Sequence, residues 1–261
     1  MTPWISADLL AGLALDWRLA LVAAAVLLGG FLRGFVGFGA ALVSVPVISL
    51  VAGPRLAVAI VTIMGLPSVL QLLPDAIRHS ERSIVLPMAL AIFVATPVGT
   101  WILVSVDPAI MKMVISGAVV VLVGFLSLGW QLGDKVGTGV LLFAGAAGGL
   151  VQGVAGIGGP PVVAVALARA GPPERQRGNV LAVMTAIVLA SIPPLYAYGL
   201  LTRPAIVIGL ALLPLYFAAT WVGSRYFTAG GSQHYRKAAL AMLAIIGLTT
   251  LTFAVWDFVT R

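Results

Sequence analysis

Between Leu19 and Ala52 the chain carries a single charged residue, Arg33. A helix rises about 1.5 Å per residue, so this run would extend about 50 Å, against a hydrocarbon core of about 30 Å. It is too long for one straight span and too apolar to face water. Its middle reads Gly29-Gly30-Phe31-Leu32-Arg33-Gly34-Phe35-Val36-Gly37-Phe38-Gly39, and glycine at that density weakens a helix. Two helical pieces around a break are therefore expected.

A run of the same form returns at 136–168, interrupted at Gly148-Gly149 and from Gly153 to Pro161. Simpler apolar spans are predicted at about 56–73, 83–104, 109–131, 180–200, 204–224 and 237–258. The charges lie between them: 15 basic and 8 acidic residues in 261 cannot coat a water-facing surface, where about a quarter of residues are charged. The fold class is thus an all-α integral membrane protein, a single transmembrane domain 1–261 that is multi-pass in the cell membrane. The lipid bilayer replaces water as its main solvent. A soluble enzyme, an extracellular module and a disordered chain are excluded.

Cysteine is absent, which removes disulfides, thiolate metal sites and cysteine nucleophiles. The basic residues sit singly between apolar runs, a pattern of membrane topology with no nucleic-acid patch. Asp8 and Asp16 precede the first basic residue, Arg18, so no cleaved signal peptide is expected. Trp17-Arg18 reads as an interfacial anchor.

Sliding the chain by 119 positions places Gly29, Gly30, Gly34, Gly37 and Gly39 on Gly148, Gly149, Gly153, Gly156 and Gly158, and Arg33 on Gln152. Gly53-Pro54 pairs with Gly171-Pro172, Gly99-Thr100 with Gly223-Ser224, and Lys112 with Lys237, in the same order. Two tandem repeats follow, about 18–133 and 134–261. If each broken run crosses twice there are ten spans and the repeats are inverted; if each is re-entrant there are eight and they are parallel. Ten spans divide the basic residues ten against five, with Arg18, Arg55, Lys112, Arg203 and Arg261 on the poorer side. Eight spans divide them eight against six, with Arg33 set aside. The positive-inside rule favours ten, with the Arg169–Arg177 loop inside and both termini outside.

Breaking a helix in a bilayer strands backbone N–H and C=O groups, which survive only beside a cavity. Discontinuous helices at corresponding positions of two repeats point to a transporter's binding site. The pieces that begin near Gly39 and Gly159 present N–H groups and a positive dipole end to an anion, and proline at Pro160 or Pro161 suits a first turn. Arg33 adds a full charge, and Gln152 a neutral amide donor. The candidate substrate-binding residues are Arg33, Gly34, Gly37, Phe38, Gly39, Ala40, Gln152, Gly153, Gly156, Ile157, Gly158, Gly159 and Pro160. Against this stand plainer readings: glycine permits close helix packing, and Arg33 at an interface would snorkel. Tyr196 and Tyr198 read as an interfacial belt, and Asn179 as the cap of its own helix.

The acids Asp8, Asp16, Asp75, Glu81, Asp107, Asp134, Glu174 and Asp257 all fall in predicted loops, tails or span ends. No carboxylate relay, metal cluster or catalytic set is expected, so the chain reads as neither an enzyme nor a cofactor protein. With the cytoplasm negative, an anion moving outward gains about 2.3 kcal/mol per 100 mV, which favours export.

Gly34-Phe35-Val36-Gly37-Phe38-Gly39 followed by Pro46, and Gly153-Val154-Ala155-Gly156-Ile157-Gly158-Gly159-Pro160, resemble the TauE/SafE family of sulfite exporters. The resemblance covers nearly the whole chain and implies export of sulfite, sulfoacetate or a related sulfonate. The copies depart from one another where Ala40 stands for Gly159 and Val165 for Pro46. The expected function is a secondary transporter working by alternating access between the breaks, with the halves rearranging around the site. An anion channel and a non-transporting membrane scaffold are the alternatives, and a homo-oligomer is left open.

Overall fold

The computed structural model describes residues 17–107, 110, 136–168 and 172–228. The spans expected at 109–131 and 237–258 lie outside them, apart from Ile110. All regular structure among the described residues is helical: α1 Trp17–Phe35, α2 Ala40–Ala52, α3 Pro54–His79, α4 Arg82–Ser105, α5 Thr138–Ala155, α6 Gly159–Ala168, α7 Pro173–Ala197 and α8 Arg203–Thr228. Six of them, α1, α3, α4, α5, α7 and α8, are long and apolar enough to cross a membrane. Leu90, Val94, Leu210 and Trp221 stand exposed on α4 and α8, as side chains facing lipid would. At 13 and 10 residues, α2 and α6 extend only about 20 and 15 Å.

Neither glycine cluster simply kinks a helix. After Phe35 the chain turns at Val36–Gly39 and α2 folds back along α1, so that the Ser44 hydroxyl donates to the Ala25 carbonyl at 3.4 Å. The reversal uses φ of 93° at Gly37 and 96° at Gly39, a region that side chains with a Cβ avoid. At the other end of the sequence, α5 and α6 reverse in the same way through Gly156, whose φ is 71°.

Two glycine seams hold these hairpins. A Cβ on Gly30 would lie 2.8 Å from the Tyr216 carbonyl, and one on Gly34 would strike the Thr220 carbonyl. Gly223 returns the contact from α8 onto Phe31. In the other seam Gly145 meets Met88, Gly149 meets Ile92 and Gly153 meets Thr96, while Gly99 meets Leu150 from α4. Small residues let helix backbones approach this closely in a bilayer. The contacts advance together along both partners, so α1 runs parallel to α8 and α5 parallel to α4. Helices α3 and α7 cross the centre antiparallel, the first turns of α7 meeting the last of α3 through Arg177 and Asp75.

Helix α7 begins seven residues before the span predicted at 180, because Pro173 occupies its first turn, where a missing N–H is harmless. Two expectations change with it. Glu174, Arg175 and Arg177 belong to a helix, and Asn179 does not cap its own helix. Its side-chain oxygen instead accepts the Glu81 N–H at 2.7 Å, capping α4 across the turn from α3. Asn179→Ala is expected to lower stability by about 1 kcal/mol, read as a reduced thermal midpoint in detergent, with Asn179→Asp retaining most of it.

Candidate substrate site

The tips of the two hairpins meet inside the bundle around a cavity of about 70 Å³. Its walls come from the first tip, the second tip, the middles of α3 and α7, and Tyr216 on α8. Nine of the residues expected at a site line it: Arg33, Phe38, Gly39, Ala40, Gln152, Gly156, Ile157, Gly159 and Pro160. Four lie behind the wall. Gly34 and Gly153 belong to the seams, Gly37 packs on Val180 and Leu181, and Gly158 packs on Gly148 and Gln152.

Arg33 does not snorkel; 4% of it is exposed. Its Nη1 donates to the Gly37 carbonyl at 2.7 Å, bracing the turn that follows it. Its Nη2 is buried with no hydrogen-bond partner, and no acid forms an ion pair with Arg33 among the described residues. Gln152 braces the second tip differently. Its Oε1 accepts the Gly158 N–H at 3.0 Å, and its Nε2 donates to the Ser191 hydroxyl at 3.1 Å. Both paired positions thus hold their own turn, but at Arg33 a whole nitrogen, Nη2, is left without a partner.

Helix α2 begins against the same cavity. Gly39 has no side chain to cap it, and the first hydrogen bond into the helix runs from Val43 N–H to the Gly39 carbonyl. First-turn N–H groups have no partner within their helix, and Ala40, Ala41 and Leu42 line the cavity. The positive end of the α2 dipole therefore faces the same space as Arg33. At α6, Pro160 and Pro161 supply no N–H, so the two tips are chemically unequal.

Sequence reasoning missed Thr62, Ser68, Met184 and Tyr216 in the wall. A lone tyrosine in the middle of an apolar span was the available signal for Tyr216. Tyr196 and Tyr198 are 77% and 41% exposed and stand away from the cavity.

Arg33 is also not the only buried cation. Arg177, read from the sequence as a loop charge, is 2% exposed. Its Nη2 donates to the Gly34 carbonyl at 2.7 Å and its Nε to the Phe35 carbonyl at 3.2 Å. Its Nη1 pairs with Asp75 at 2.8 Å, and the guanidinium lies 4.3 Å from the Phe227 ring centre. Arg177 thereby satisfies carbonyls stranded at the end of α1 and offsets the negative end of that helix dipole next to the cavity.

Six membrane-length helices around a cavity with a cation on its wall define a multi-pass membrane protein. The profile of the sulfite exporter TauE/SafE family matches residues 21–250, and the chain belongs to that family. It is 27% identical over 236 residues to a protein of Cupriavidus necator named "Probable sulfite/organosulfonate exporter TauE", covering 87% of this chain and 91% of that one. No solved structure matches the chain.

Proposed function

We propose that the protein exports a small sulfur-containing anion, such as sulfite, sulfoacetate or a related sulfonate, from a site between the two hairpin tips. The observation that carries this reading is the unpartnered Nη2 of Arg33 at a cavity that also receives the first turn of α2. A buried cation without a counter-ion is costly, and an anion is the group that relieves it. A water-sized sphere needs about 10–15 Å³, so about five fit in 70 Å³, and sulfite has four heavy atoms. Larger sulfonates need the cavity to widen during the cycle.

The end of the bundle bearing Arg78, Arg82, Arg175, Arg177 and Arg225 faces the cytoplasm in this reading, and the end bearing Arg18, Arg55 and Arg203 faces outward. That assignment puts the N-terminal end of α1 outside. Opposite directions of α1 and α5 support an inverted duplication, about 18–133 and 134–261. Alternating access moves the tips relative to the central helices α3 and α7. The seams couple α1 to α8 and α4 to α5, so the moving bodies draw on both halves of the chain.

Reconstituted into vesicles loaded with sulfite, the protein is expected to give saturable efflux that is accelerated by sulfite on the opposite side. Linear efflux without counterflow would mark a channel. Absence of efflux for every small sulfur oxyanion would remove the reading.

A further inference from the structure

Helix α3 crosses the centre of the bundle, and its second half is apolar on every side but one. After Thr62 its polar residues are Ser68, Gln71, Asp75, Arg78 and His79. At 100° per residue these five fall within an arc of about 100°. Ten residues separate Ser68 from Arg78, about 15 Å along the axis. The stripe starts at the cavity, whose wall includes Ser68, and ends at a polar surface vestibule lined by Arg78, His79, Glu81, Glu174 and Arg175. Asp75, between them, holds the Arg177 guanidinium.

Gln71 is the unexplained member of the row. Both its Nε2 and its Oε1 are buried, and neither has a hydrogen-bond partner. Ser68, one turn away, is satisfied by donating to the Gly65 carbonyl at 2.6 Å, and Asp75 is paired. A buried amide with neither bond made is disfavoured relative to an apolar side chain of the same shape. Packing alone would be better served by leucine or methionine at this position. Such a group is accounted for when a polar partner arrives in another state of the protein.

We propose that this face of α3 is the route by which the anion passes between the polar vestibule and the cavity, and that the Gln71 side-chain amide donates to it in transit. The Asp75–Arg177 pair closes the route in the conformation described, and its opening brings water and anion onto Gln71. The inference rests on the transport reading above and adds a contact residue outside the cavity.

The test is Gln71→Leu, with Gln71→Met as a second variant of similar length and Gln71→Asn as the conservative one. Each is compared with the unsubstituted protein for sulfite efflux from vesicles and for thermal stability with and without sulfite. The expected result for Gln71→Leu and Gln71→Met is efflux at least about 10-fold slower, an unliganded melting temperature equal to or above that of the parent, and a retained stabilisation by sulfite. Such stabilisation reports binding to the folded state. Gln71→Asn should recover part of the rate.

Parental efflux in both apolar variants overturns the proposal and leaves the cavity reading standing. Slow efflux with sulfite stabilisation also lost overturns it in another way, by moving Gln71 into the binding site itself. A parent that neither moves sulfite nor is stabilised by it counts against the transport reading and takes the route down with it.

Discussion

Arg33→Ala is expected to lower sulfite efflux by about 100-fold, with the protein still folded. A hydrogen bond to a charged group contributes about 1.5–3 kcal/mol, and a factor of 100 corresponds to about 2.7 kcal/mol. The loss follows from removing both the donor and the only positive charge that lines the cavity among the described residues. Stability should move little. The variant gives up the bond from Nη1 to the Gly37 carbonyl, about 1 kcal/mol, but also removes a buried charge without a counter-ion. Arg33→Lys should recover part of the rate, since it keeps the charge and loses the planar fork. Initial efflux rates beside melting curves separate these effects. Full activity in Arg33→Ala would exclude a site built on this residue.

Arg177→Met has the opposite signature, with the larger effect on stability: about 2–6 kcal/mol lost from two stranded carbonyls, measured as a marked fall in melting temperature. The source is the end of α1 more than the ion pair. Asp75 is 40% exposed at its side chain and rehydrates when its partner leaves, so that contact alone is worth about 1 kcal/mol or less. The carbonyls of Gly34 and Phe35 are buried with their residues, and each lost partner costs about 1–3 kcal/mol. Asp75→Asn should therefore be mild where Arg177→Met is severe. Equal effects from the two would place the stabilisation in the ion pair instead.

The all-helical membrane fold could be read from apolar run lengths, because a bilayer allows few alternatives to a helix. The cavity's neighbourhood could be read from the glycine clusters, which fall where α1 and α5 end. Other features were hidden for physical reasons. Gly39, which lines the cavity, and Gly34, which admits the backbone of α8, look alike in a sequence. Deciding between them requires the neighbour, and α8 is nearly two hundred residues away. Arg177 was hidden because its partners are backbone carbonyls, which leave no pattern in the residue types. Asn179 was misjudged for a related reason: a side-chain cap can be supplied by another helix, and local spacing records only caps made within the same one.

The seam between α1 and α8 also bears on how the chain is made. Helix α1 leaves the ribosome early, yet the backbone that receives Gly30 and Gly34 lies at Tyr216–Ser224, and the side chain that satisfies its last carbonyls is Arg177. At synthesis rates of about 5–20 residues per second, α1 waits about 10–40 seconds for α8 to follow it. During that interval a glycine-notched helix carrying Arg33 must rest in lipid or against the insertion machinery without its native partner. Nascent chains stopped before α8 would then hold α1 in a form open to quality-control proteolysis, and the last described helix decides whether the first one is kept.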